Sequence, residues 1–469
     1  MKPPKIVYLH TKVLGAAVLL TLTLTSAAAQ AETLSQFFAA SKIGGQIRSY
    51  YFSRLYGASG PNTFNQDAYS LGGMLNIQTA PFLGGFGVGV SFYTANALGA
   101  NNLSGAPAYP HLDTTLMGPQ QSLNALGQAY LQYAVPKRLL IRAGDQVINT
   151  PWLNNSDSRL LPATYQGVYA EYSPFHEVKL YGLREFRWKS RTSGNYFKDN
   201  LYYPATFSGD TLYGGTTALS ASAPQTSGTL AFGVSTDVMG LKAQAWYYDF
   251  YQFANTFYSD ANYTLKTGTG LDPFLAAQFM RQWSNNSLLD GTRLNNSPVS
   301  ATSVSNTSWG VQAGLNYARL NSIIGGGQLA WSYNEILPHA GAVGGGAIVS
   351  PYTVGYATDP LYTTSMIRGL VEQGPGNAWK VKWTQNLFDK QVLLMAAFAR
   401  YHTYFQGASN DTYLDLTYFF PGKLKGLSIR DRVEVSNGQG AYNGFLSNGA
   451  AFNKGRSFIY NRVMLTYGF

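Results

Sequence analysis

Arg142, Lys179, Lys380, Lys382, Arg430, Arg432 and Arg462 fall in short segments where every second residue shares a side, and each lies on the less apolar side. A row of such groups is suited to handling anions. An arginine fork takes a carboxylate bidentately, whereas a lysine acts as a mobile point charge. Several weak sites in series draw an anion along without trapping it. Catalytic chemistry finds less support. Beyond residue 31 the histidines are His111, His176, His339 and His402; no two have ligand spacing, and His402 has no evident serine partner. The absence of cysteine excludes disulfides, thiolate metal sites and a cysteine nucleophile. "GAVGGGAIVSP" (341 to 351) lacks the Gly-Lys-Ser/Thr of a phosphate loop and reads as a plain connection. Neither enzyme activity nor a cofactor or metal is expected.

A second grouping is "VINTPWLNNSDSRLLPATYQG" (147 to 167). Trp152, Leu153, Leu160 and Leu161 make it too apolar for a freely solvated loop, and Pro151 and Pro162 stiffen it. Folded into a channel, it would narrow the passage and present Ser158 and Arg159.

The elements that must position these residues are strands. In "FGVGVSFYT", Phe86, Val88, Val90 and Phe92 share one face, and Gly87, Gly89, Ser91 and Tyr93 the other. "YSLGGMLNIQ" and "WGVQAGLNY" repeat the pattern. Charged residues are 12%, against about 25% in ordinary soluble proteins. Together with 34 Tyr, 26 Phe and 50 Gly, this predicts an all-β transmembrane antiparallel barrel. Strands are predicted near 42–52, 69–79, 85–95, 126–135, 138–146, 165–173, 177–187, 229–237, 240–251, 256–266, 308–317, 327–335, 377–387, 391–402, 411–420, 426–435 and 457–469. That odd total conflicts with the even strand number of bacterial single-chain barrels. Short periplasmic turns at 135–138, 173–177, 236–240, 388–390 and 421–426 fix the direction of the flanking strands. They locate the missing strand between the tenth and the strand at 308, in "FLAAQFMRQW" (274 to 283), giving eighteen.

Lys2, Lys5 and Lys12, the uncharged "VLGAAVLLTLTLT" and the small residues up to Ala31 read as a secretory signal peptide over residues 1–31. Residues 32–469 read as a single transmembrane barrel domain. Removing the three lysines lowers the formal charge from +10 to +7, only mildly basic, so no nucleic-acid partner is expected. In "VMLTYGF", Val463, Leu465, Tyr467 and Phe469 alternate outward, which makes this stretch the closing stave, its terminal aromatics in the interfacial girdle.

"GDQVINTPWLNNSDSRLLPATYQGV" resembles the strand, inward loop and next strand of OprD-type outer-membrane porins. "IRSYYFSR" (47 to 54) is similar to that family's first strand, and "AQFMRQWSNNS" (277 to 287) to its middle section. The resemblance implies an eighteen-stranded passive channel with an inward-folded constriction loop, in the outer membrane of a Gram-negative-type bacterium. It places Asp157, Ser158 and Arg159 at the constriction and Arg48 at the head of the basic ladder. It also makes Tyr467 and Phe469 an assembly signal. Expected partners are outer-membrane lipid, the outer-membrane assembly machinery and small anionic solutes such as carboxylates; monomer and homo-oligomer both remain open. A general non-selective porin is the nearest alternative. A barrel adhesin or receptor comes further behind: a receptor for energised uptake would need a plug domain where only residues 32–41 precede the first strand, whereas long loops could still bind partners in an adhesin.

Overall fold

The computed structural model describes residues 35, 39–56, 64–105, 109–118, 120–155, 159–198, 226–285, 303–349, 359–404, 407–438, 444–445, 451–452 and 457–469. Strands appear where the period-two pattern is strongest: β1 (Lys42–Leu55), β2 (Gln66–Gln78), β3 (Phe86–Asn96), β4 (Ser122–Val135), β5 (Leu139–Gln146), β6 (Thr164–Phe175), β7 (Val178–Lys189), β8 (Thr229–Val238) and β9 (Leu241–Phe250). They continue as β10 (Ala254–Thr264), β11 (Leu271–Ser284), β12 (Ser305–Tyr317), β13 (Ile324–Ile336), β14 (Gly376–Leu387), β15 (Val392–Thr403), β16 (Gly407–Phe419) and β17 (Leu427–Gly438). A two-residue ribbon, β18 (Gly444–Phe445) with β19 (Ala451–Phe452), precedes β20 (Phe458–Gly468).

Each of the eighteen long strands pairs antiparallel with its neighbours, and β1 pairs with both β2 and β20. The sheet therefore closes on itself and leaves no edge, the condition a sheet must meet to sit in hydrocarbon. Closure reaches the last residue: Gly45 N–H donates to the Phe469 carbonyl at 2.9 Å, and Phe469 N–H to the Gly45 carbonyl at 3.1 Å. The strand required by parity is β11, three residues longer at its start than predicted because Leu271, Asp272 and Pro273 continue the pairing with β12.

Alternation sorts the wall into two surfaces. On β3, Phe86, Val88 and Phe92 are exposed while Gly87, Gly89, Ser91 and Tyr93 are covered. On β20, Ile459, Leu465 and Tyr467 point out while Tyr460 and Arg462 point in. One end of the barrel has tight turns such as 136–138, 176–177 and 239–240; the other carries the long connections. Interior side chains form two clusters of buried apolar residues, one against β6 to β10 and the other against β1, β3 and β20.

Candidate functional site

An eighteen-stranded barrel is wide enough for an aqueous channel unless something fills it. Among the described residues, four connections do so in part: 109–118, 147–163, 337–349 and 359–375. In the segment 147–163, Trp152 and Leu153 join the first cluster, whereas Leu160 and Leu161 join the second. The described parts of the segment thus form a strap, 147–155 against the β9–β10 wall and 159–163 against the β1–β20 wall. Trp152 meets Tyr258 edge-on at 6.2 Å, Tyr165 Oη donates to the Asn154 carbonyl at 2.9 Å, and Ala163 N–H closes the neck on the Asn155 carbonyl at 2.8 Å. The segment 359–375 makes the same crossing, with Leu361, Leu370 and Val371 in the first cluster and Met366 and Ile367 in the second.

Several basic residues hold these straps. Arg48 Nη1 donates to the carbonyls of Arg159 (2.8 Å) and Leu160 (3.4 Å). Arg159 is only 1% exposed: its Nε donates to the Thr115 carbonyl at 3.3 Å and its guanidinium lies 5.1 Å from the Phe52 ring centre. Arg462 lies 4.7 Å from the Tyr460 ring and 5.3 Å from Phe52, while Arg54 is 3.5 Å from Asp113. Burial by itself would raise the Asp113 carboxyl, but Arg54, the Thr115 hydroxyl and Arg159 outweigh it and hold the group below the usual range. Lys380 Nζ donates to the Thr364 carbonyl at 2.7 Å, and Arg368 forms a buried pair with Asp411 at 3.0 Å.

These contacts place Arg48, Arg159, Lys380 and Arg462. All four lie inside the barrel, but loop backbone or aromatic rings cover them, because a guanidinium or ammonium beside unpaired carbonyls is better used there than in water. Asp157 and Ser158 lie outside the described residues. Lys179 stands at the short-turn mouth, half exposed and 3.9 Å from Glu171.

The other ladder residues keep part of their surface toward the lumen. Arg430 grips Asp415 with two bonds, Nε to Oδ1 at 2.8 Å and Nη2 to Oδ2 at 2.5 Å, and Arg432 Nε lies 2.8 Å from the same Oδ2. Two cations therefore share one carboxylate. Arg142 donates to Gln132 at 3.2 Å and stacks on Tyr130, while Lys382 faces inward on β14 two residues from Lys380. The wall of β11 to β13 differs: Gln278, Gln282, Asn306, Ser308, Gln312, Asn316, Gln328, Ser332 and Asn334 point inward, and the inward carboxylate there is Asp272 at the short-turn end.

Arg54, Arg368 and Asp113 were missed by sequence reasoning. Arg54 was legible, lying six residues from Arg48 on the same face of β1. Arg368 and Asp113 lie in connections without a period to read.

A closed barrel of eighteen antiparallel strands with an apolar outer wall and inward-folded connections defines the porin class of outer-membrane proteins. The model of the family described as "outer membrane porin, OprD family" matches residues 35–313, and the chain belongs to that family. Similar solved structures include Acinetobacter baumannii OccAB3 (17% identity, TM-score 0.68, covering 92% of this chain and 99% of that one). Pseudomonas aeruginosa OccK9 (OpdG) matches with 14% identity, TM-score 0.68 and the same coverage. P. aeruginosa OpdK with vanillate matches at 13% identity, TM-score 0.67, 92% and 99%. None of the curated proteins matches this chain.

Proposed function

We propose that this porin is a passive, anion-preferring diffusion channel whose solutes are small water-soluble carboxylates. The observation that carries the reading is the Arg430–Arg432–Asp415 arrangement, one carboxylate short of neutral, with Lys382 on the same side of the lumen. A solute carboxylate can take the place of water on the less saturated guanidinium, and the amide wall of β11 to β13 offers it neutral donors and acceptors. That OpdK has been solved with vanillate, itself a carboxylate, supports this solute class. In the same reading Arg48 and Arg159 fix the strap that sets the constriction, with Asp157 and Ser158 at its centre. Residues 1–31 are a signal peptide, residues 32–469 one barrel domain, and Tyr467 and Phe469 an assembly signal displayed on the outer wall.

Liposome swelling tests the reading with solutes of matched size: a carboxylate, its amide and the corresponding amine. The carboxylate should enter fastest and the amine slowest. Equal rates would favour a general porin, and an amine-first order would overturn the proposal.

A further inference from the structure

Read from the short-turn end, the outward residues of β11 are Leu271, Pro273, Leu275, Ala277 and Phe279, and then Arg281. Arg281 is ten residues along the strand from Leu271. At ~3.3 Å per residue on a strand tilted by roughly 40°, that is a height of about 25 Å, the full thickness of the apolar band. The neighbouring strands change character at the same level. On β12 outward Trp309 gives way to Thr307 and Ser305, and on β13 outward Tyr333 gives way to Glu335. Arg281 therefore stands at the end with the long connections, where the hydrocarbon of the outer leaflet stops and its headgroups begin.

A cation that only has to reach water from such an edge extends its side chain away from the wall. Arg281 is instead pinned to the wall. Its Nη1 donates to the Asn306 carbonyl at 2.7 Å and to the Ser305 and Thr307 hydroxyls, each at 3.1 Å. The Nε–Nη2 edge is left over: no described residue accepts a hydrogen bond from it. Phe279 and Trp283 flank Arg281 along β11, and Phe257 stands opposite it on β10 with its ring centre 6.4 Å from that of Phe279. Phe279 in turn faces Trp309 on β12. His339 Nε2 lies 3.3 Å from Thr307 Oγ1 and brings an imidazole to the same corner.

Two parallel donors on one guanidinium edge match a pair of phosphate oxygens. We propose that this corner of the outer wall binds the phosphorylated headgroup of an outer-leaflet lipid. The phosphate sits on the Nε–Nη2 edge of Arg281, and the acyl chains lie against Phe257, Phe279 and Trp309. The Ser305 hydroxyl, which accepts from Nη1, keeps its own hydrogen for a third phosphate oxygen. A lipid is the occupant rather than free phosphate because the fork opens among apolar rings at the edge of the band. Only a molecule with both an anionic head and a hydrocarbon tail satisfies both. The site faces away from the lumen, so a solute crossing the pore does not meet it.

Native mass spectrometry of the detergent-solubilised porin, offered dioleoylphosphatidic acid or dioleoylglycerol, tests this. The two lipids share their chains and differ in the phosphate. The wild type should carry the phosphatidic acid about tenfold more often than dioleoylglycerol. Arg281→Gln should lose most of that excess while its heat-modifiable band and its conductance match the wild type's. Arg281→Lys keeps the charge without the fork and should fall between the two. Arg319→Gln at the short-turn end, where Arg319 pairs with Asp389 at 2.6 Å, should hold the lipid as the wild type does. Inorganic phosphate in large excess should not release it. Four results would overturn the proposal: equal retention of both lipids, wild-type retention by Arg281→Gln, an equal loss in Arg319→Gln, or release by inorganic phosphate, which would make the corner a free-anion site.

Discussion

The wall of β11 to β13 and the wall running from β14 through β20 to β1 both face the lumen and both hold up a connection, but with different chemistry. On the first, neutral groups satisfy one another: Gln312 donates to Ser332 and Gln328 to Asn316, each at 2.8 Å. The connection above is held by neutral bonds too, with Gln282 bonded to both backbone groups of Val349 and Asn306 donating to the Gly346 carbonyl. On the second wall, the inward cations Lys380, Lys382, Arg430, Arg432, Arg462, Arg48 and Arg54 outnumber the inward carboxylates Asp411, Asp415 and Glu434. Arg48 and Lys380 hold connections, while Arg430 and Arg432 share Asp415. The difference shows that a basic residue facing inward can serve to hold a connection, depending on whether a loop carbonyl or ring lies within its reach.

The largest expected effect comes from breaking the ionic anchor. Arg368→Leu leaves Asp411 buried without its partner, a loss of roughly 3–5 kcal/mol. Limited proteolysis of the 359–375 segment should then accelerate by about a hundredfold or more. On the amide wall, Asn306→Ala removes the donor to a single backbone carbonyl, that of Gly346, at about 1–3 kcal/mol, so 337–349 should loosen less. Similar proteolysis rates for the two variants would erase the distinction.

Next comes the double variant Arg430→Gln with Arg432→Gln. Hydrogen bonds to charged groups contribute about 1.5–3 kcal/mol, so carboxylate entry at low concentration should fall by roughly tenfold. Gln312→Ala on the β11 to β13 wall should change it less than about twofold. Arg159→Ala is the informative control, because its guanidinium is covered: it should disturb conductance noise through the strap more than it disturbs the preference among solutes.

A smaller, pH-dependent effect is expected at the 359–375 segment. Burial, the larger cause, raises the Asp359 carboxyl to about 6, and burial followed by the nearby Asp359 charge lifts Glu372 well above its usual range. Both groups hold protons more tightly in the docked segment than when released. Docking is therefore fully supported below about pH 4, where both states are protonated, and weakens as pH rises through about 6 and beyond. Proteolysis of this segment should speed up from pH 4 to pH 8, and Glu372→Gln should flatten the profile. A wild-type profile that is flat, or that falls with pH, would contradict this.

Much of the fold was legible because a barrel wall writes its period into every strand. Even β11, where Pro273 weakens the strand pattern, followed from parity and turn lengths. The apolar 147–163 connection announced its inward fold through Trp152, Leu153, Leu160 and Leu161. The site was harder to read. Alternation put Arg48, Lys380, Arg430 and Arg462 on one surface but could not tell that the Arg159 and Thr364 carbonyls would take up Arg48 and Lys380. Those contacts join residues more than a hundred positions apart for Arg48, or depend on a connection without period for Lys380. The shared use of Asp415 needs the β16–β17 register, which sets Asp415 directly opposite Arg432.

The zero-current potential of the reconstituted channel across a potassium chloride gradient reads out whether the excess of cations over carboxylates on one wall gives the pore its preference. The account predicts chloride preference near 0.01 M, where the Debye length is about 30 Å, fading toward 1 M, where it is about 3 Å. The Arg430→Gln with Arg432→Gln variant should lose most of that preference. A cation-selective wild type, or a variant whose potential equals the wild type's, would contradict the account.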